Sequence, residues 1–116
     1  MVLKSLPVHI IINSEENAAM RTETRIDRVK DKILPVLQKY EVKQASFFGS
    51  IVRGKWNKKS DIDILVRLSD DLSLLDFIGL KNELEDTVGR KVDLVEYETI
   101  KEALKERILS EQVPIL

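Results

Sequence analysis

Between residues 47 and 66 the chain reads Phe47-Phe48-Gly49-Ser50-Ile51-Val52-Arg53-Gly54 and then, after a short gap, Ser60-Asp61-Ile62-Asp63-Ile64-Leu65-Val66. This stretch constrains the fold more than any other. An aromatic, apolar run that stops at Gly-Ser has the pattern of a strand closed by a tight turn. Residues 61–68 then alternate, with Ile62, Ile64, Val66 and Leu68 on one side and Asp61, Asp63, Leu65 and Arg67 on the other. That two-residue period belongs to a strand. About a dozen residues separate the two strands, too few for a full crossover, so they are expected to pair antiparallel.

The flanks supply helices. Ile26, Val29, Ile33, Leu34 and Leu37 recur at three- and four-residue steps among charged residues, which predicts an amphipathic helix from Thr22 to about Tyr40, kinked or restarted at Pro35. A brief helical turn is expected over 51–54, followed by the basic loop Lys55-Trp56-Asn57-Lys58-Lys59. Ser69-Asp70-Asp71 offers N-capping side chains for a helix carrying Leu72, Leu75, Ile78, Leu80, Leu84 and Val88, with Gly89 as its stop. Residues 91–97 read as a third strand, with Val92 and Leu94 on one face and Asp93 and Val95 on the other. Thr99-Ile100-Lys101-Glu102 matches a capping box. It would open a last helix lined by Ile100, Leu104 and Ile108, ahead of the apolar tail Val113-Pro114-Ile115-Leu116. The order predicts an α/β (α+β) domain, with helices against a small mixed β-sheet of three or more strands. Residues 21–116 are expected to form this single domain. Residues 1–20 are expected to be a poorly ordered or loosely docked extension, with an edge strand at 8–12 or a true start at Met20 as alternatives.

Composition narrows the chemistry. The 116 residues suit one domain with a real core. Net charge is −1 with both signs interleaved, so no basic field points to direct nucleic-acid binding. With no cysteine and a single His9, the chain has no means of thiolate chemistry, a disulfide scaffold or a histidine-ligated metal site. Any metal must be held by oxygen, which favours Mg²⁺ or Mn²⁺. No run approaches the ~20 apolar residues of a membrane span, and a cytoplasmic location is expected.

Asp61 and Asp63, two apart in a strand, point their carboxylates to one face, and Asp93 joins them if the third strand lies beside the second. Three like charges so close repel, and a bound cation relieves the repulsion. Gly49 lets the backbone approach a phosphate, Ser50 adds a hydroxyl and backbone donors, and Arg53 lies three residues on, within reach of a phosphate oxygen. Taken singly, each piece is also compatible with a common turn or a solvated strand face; their conjunction is what points to a site.

The pattern Phe48-Gly49-Ser50-Ile51-Val52-Arg53-Gly54…Ser60-Asp61-Ile62-Asp63-Ile64 resembles the signature of the DNA polymerase β-like nucleotidyltransferase superfamily, and within it the minimal nucleotidyltransferase (MNT) branch. The resemblance runs from about Ile33 to Val95. Ile51 and Val52 replace the aromatic residue and alanine often found before Arg-Gly. It implies a polymerase β palm-like fold. It also implies nucleotide binding by Gly49, Ser50, Arg53 and Ser60, and catalysis and metal binding by Asp61, Asp63 and Asp93 with two Mg²⁺ ions (or Mn²⁺) and ATP as donor. Because the chain has no room for the acceptor-binding domain of larger relatives, the acceptor is expected from a partner. In MNT proteins of this size that partner is a helical HEPN toxin, adenylylated on a tyrosine. The alternatives are a free-standing enzyme acting on an aminoglycoside-type small molecule as a homo-oligomer, and an antitoxin that blocks its partner sterically.

Overall fold

The computed structural model describes residues 14–57 and 59–116, with side chains from residue 24 onward. A long helix, α1 (Ser14–Lys39), leads into β1 (Gln44–Phe48) and the one-turn helix α2 (Ser50–Arg53). Then follow β2 (Ile62–Arg67), α3 (Leu74–Val88), β3 (Val92–Glu96), a 3₁₀ turn (Tyr97–Thr99), α4 (Glu102–Glu111) and the short β4 (Val113–Pro114). The four strands form one mixed sheet in the order β3-β2-β1-β4. β1 pairs antiparallel with β2 and β4, while β2 and β3 run parallel across the α3 crossover. The expected α/β class and antiparallel first pairing are both present.

Strand alternation divides the core into two layers. Ala45 and Phe47 of β1 and Ile62, Ile64 and Val66 of β2 are fully buried against Val29, Ile33, Val36 and Leu37 of α1 and Leu80 and Leu84 of α3. On the opposite face Phe48 and Leu65 pack with Ile108 of α4, flanked by Val95, Tyr97, Ile100 and Leu109. Buried Ser46 is matched on that face: Tyr97 Oη lies 3.0 Å from Ser46 Oγ and 2.9 Å from Gln112 Oε1. Within the C-terminal tail Ile115 is buried in the first layer, whereas Leu116, like Leu104 of α4, stays exposed. Among the described residues, no helix is long and apolar enough to cross a membrane.

Expectations at three of the helices are corrected. α1 begins at Ser14, not Thr22, and runs through Pro35 without a break. Pro35 is exposed, so the carbonyl of Asp31 that loses its donor faces water. α3 is capped by Ser73, whose Oγ accepts from Asp76 N at 3.1 Å while Asp76 Oδ2 accepts from Ser73 N at 3.1 Å, and Ser69-Asp70-Asp71 stand in the preceding turn. Leu75 and Ile78, expected in its buried stripe, are 79% and 45% exposed. At about 100° per residue they sit roughly 140° and 160° round the helix from Leu80. The Thr99 capping box is also absent: the 3₁₀ turn takes up Thr99, whose hydroxyl donates to Glu96 O at 3.0 Å, and α4 starts with no side-chain cap. The expected edge strand at 8–12 lies outside the described residues.

Phe47 has no exposure and Leu75 is nearly free of packing. In urea denaturation, Phe47→Ala should therefore cost about 3–5 kcal/mol, and Leu75→Ala should stay within about 0.5 kcal/mol of the wild type.

Candidate active site

The sheet edge where β1 ends and β2 and β3 begin carries the candidate residues. Register sets their neighbours: Phe48 is opposite Asp63 on β1 and β2, and Asp63 is opposite Asp93 on β2 and β3. Because Asp63 shares the Leu65 face, its carboxylate and that of Asp93 lie on the α4 side of the sheet. Asp61, just before β2, is exposed, as is Asp93, while Asp63 is half-buried.

Gly49 turns the chain at φ 77°, ψ −150°, a conformation open essentially only to glycine. Its Cα has a close neighbour. A Cβ added there would stand 2.1 Å from Asp63 Oδ2 and 3.0 Å from Asp63 Cγ. The absent side chain is the space that the carboxylate occupies. Beyond the turn, the amides of Val52 and Arg53 both donate to Gly49 O at 3.1 Å, which winds α2, and Gly54 ends it at φ 78°.

Burial and repulsion act together on Asp63. Partial burial, then the neighbouring charges of Asp93 and Asp61, push its pKa from 3.8 up to about 6, with Glu111 adding a little and Arg53 opposing. The donor set is therefore all oxygen, crowded with like charge, and set against a backbone with no side chain in the way. That combination suits a hard divalent cation. As they stand, no three acidic side chains among the described residues enclose a single position, so Asp63 and Asp93 are brought together and Asp61 only into electrostatic range.

Of the other expected residues, Ser50 is half-exposed at the start of α2. Ser60 Oγ accepts from Asn57 N at 3.0 Å and so is engaged in its own loop. Arg53 faces Glu111, with Nε 3.6 Å from Oε2. Lys55 and Lys59 are exposed, and Lys58 lies outside the described residues.

Two residues that sequence reasoning missed shape this edge. Arg90 Nη1 donates to the carbonyls of Asn57 at 2.6 Å and Ser60 at 3.0 Å, and its guanidinium lies 3.7 Å from the Trp56 ring centroid. This strut fixes the loop that delivers Asp61. Glu111, the last residue of α4, accepts from Gly49 N through Oε1 at 3.1 Å. A signal for Glu111 existed: an acidic residue in the last turn of a helix opposes the helix dipole, and such a local conflict asks for a partner elsewhere.

A model of the family described as Polymerase beta, Nucleotidyltransferase matches residues 31–116. A Methanocaldococcus jannaschii protein named as a candidate protein adenylyltransferase is 48% identical over 91 residues, covering 78% of this chain and 98% of its own. Among solved structures, one described as a minimal nucleotidyltransferase superposes with a TM-score of 0.68 at 32% identity, over 80% of this chain and 94% of that one. A toxin–antitoxin structure with AMP-PNP superposes with a TM-score of 0.65 at 25% identity, over 75% of this chain and 72% of that one.

Folded Asp63 holds its proton up to about pH 6, while the unfolded residue releases it near 3.8. Between those values the native state binds more protons, so stability falls as pH rises and the loss is complete above the higher one. In urea denaturation with a chelator present, Asp63→Asn should be more stable than the wild type at about pH 7.5, and the difference should fade as pH falls to about 4.

Proposed function

The chain belongs to the polymerase beta nucleotidyltransferase family, and from that premise we propose that it moves AMP from ATP to a tyrosine hydroxyl of a helical HEPN toxin partner, acting as the antitoxin in the cytoplasm. The single observation that carries this reading is the carboxylate of Asp63, seated against the bare backbone of Gly49 with Asp93 beside it. One sheet edge thus joins a turn with backbone and hydroxyl donors to negative charge for a cation next to it.

In this reading the Gly49 and Ser50 backbone donors, the Ser50 hydroxyl and the Arg53 guanidinium receive phosphate oxygens. Ser60 belongs to the same nucleotide-binding set through the loop that it closes. Asp61, Asp63 and Asp93 would hold Mg²⁺, which supplies charge neutralisation at the phosphates when bound. The acceptor hydroxyl gives its proton to a carboxylate oxygen of Asp93, which is exposed and stands beside Asp63 in the register of β2 and β3. Its oxygen forms a bond to the α-phosphorus as the bond to the β-phosphate oxygen breaks, and pyrophosphate leaves. The half-buried Asp63 has the opposite duty: packed against Gly49, it keeps the phosphate turn and the cation site at a fixed separation. The adenylyltransferase relative and the toxin–antitoxin neighbour support a protein acceptor.

The test is to incubate the protein with the product of its neighbouring gene, ATP and Mg²⁺, and to read that product by mass spectrometry. An AMP adduct on a tyrosine is expected. Asp63→Asn should lower its rate by about 10²–10³-fold while the circular dichroism spectrum stays unchanged. Transfer at the wild-type rate by Asp63→Asn would remove Asp63 from the site, and inhibition of the partner with no adduct would favour a steric antitoxin.

A further inference from the structure

Two of the donors that the proposed function gives to a triphosphate, Gly49 N–H and the Arg53 guanidinium, are already engaged. Gly49 N–H points at Glu111 Oε1, 3.1 Å away, and Arg53 Nε lies 3.6 Å from Glu111 Oε2. The Glu111 side chain is only 16% exposed, so this is no casual surface pair. We propose that the Glu111 carboxylate stands in for a phosphate oxygen in the free protein, and that an incoming nucleoside triphosphate must displace it from Gly49 and Arg53. The inference rests on the proposed function, since it names what competes for that same site.

The placement follows from packing. Ile108 is buried against Phe48 and Leu65, and Glu111 follows it by three residues, on the same face of α4. Burying Ile108 therefore carries Glu111 to the mouth of the turn. The chain just after it is held twice: Tyr97 Oη donates to the Gln112 side chain at 2.9 Å, and Val113 pairs with Phe47 in β4. Displacement thus falls to the side chain, which swings out while α4 stays. Electrostatics drives it. A carboxylate left in place would face the triphosphate across hydrogen-bonding distance, beside Asp63 and Asp93. Once it leaves, Arg53, whose side chain is 48% exposed, is free to follow the phosphate. In the free protein the same carboxylate satisfies the Gly49 donor, which would otherwise lack its partner in a buried residue.

A purely structural tie and a displaceable one differ in sign. Isothermal titration with AMP-PNP and Mg²⁺ compares the wild type with Glu111→Gln, which keeps an oxygen for Gly49 N–H and loses the charge, and with Glu111→Ala. If Glu111 competes with the nucleotide, both variants bind it more tightly, by about tenfold, with the nucleotide KM falling and kcat no higher. Equal or weaker binding by both would overturn the competition while leaving the proposed function intact. Failure of all three proteins to bind would sink the proposed function and this inference with it. Should the variants not fold, the wild type still decides: the ¹³C signal of the Glu111 carboxylate should move to that of a solvated glutamate on saturation with nucleotide. A signal that stays put would refute displacement.

Discussion

Asp63 can lie against the chain at Gly49 only because position 49 has no side chain, and the rest of the site is arranged around that approach. A Cβ there would collide with the carboxylate at 2.1 Å. The contact joins the end of β1 to the start of β2, so the antiparallel pair presents a turn and an acid at one sheet edge. Parallel pairing then adds Asp93 alongside Asp63. Antiparallel pairing on one flank of β2 and parallel pairing on the other is what lets residues from three strands meet there.

The two faces of the sheet have separate tasks. The α1 and α3 face is dry and closely packed, with Phe47, Ile62, Ile64, Leu80 and Leu84 at no exposure, and it supplies most of the apolar burial. The α4 face is smaller and carries polar groups at its edge, including the Tyr97, Ser46 and Gln112 contact and the Glu111 contact with Gly49. Rigidity comes from one face and chemistry is arranged on the other. The raised pKa of Asp63 is the electrostatic consequence of placing acids beside that second, partly buried layer.

Much of this was legible because a strand has a simple period. Alternation alone set Asp63 and Leu65 on one face and Ile62 and Ile64 on the other, and the short link between β1 and β2 implied their antiparallel pairing. Gly89 ends α3 as expected, at φ 68°. Illegible features depend on contacts between distant parts of the chain or on helix phase. Glu111 meets Gly49 across 62 residues, and Arg90 reaches Asn57 across 33. No local pattern encodes such distances. Leu75 and Ile78 misled because a leucine-rich segment fits several helical phases, and the choice among them is made by the Ser73–Asp76 cap and the packing of Leu80 and Leu84. Thr99 misled because a 3₁₀ turn shifted the helix start by a few residues, a shift that side-chain spacing alone does not reveal.

The Arg90 strut gives the loop before β2 an unusual standing. Surface loops commonly accept inserted or deleted residues, since their backbone answers mainly to water. Here two carbonyls, those of Asn57 and Ser60, are tied to a guanidinium just ahead of β3, which itself stacks on Trp56. The number of residues between Trp56 and Asp61 is thereby matched to the spacing of two strands. In lineages descended from such a chain, change at this loop should run through substitution of its exposed lysines, while its length drifts far less than solvent exposure alone would permit.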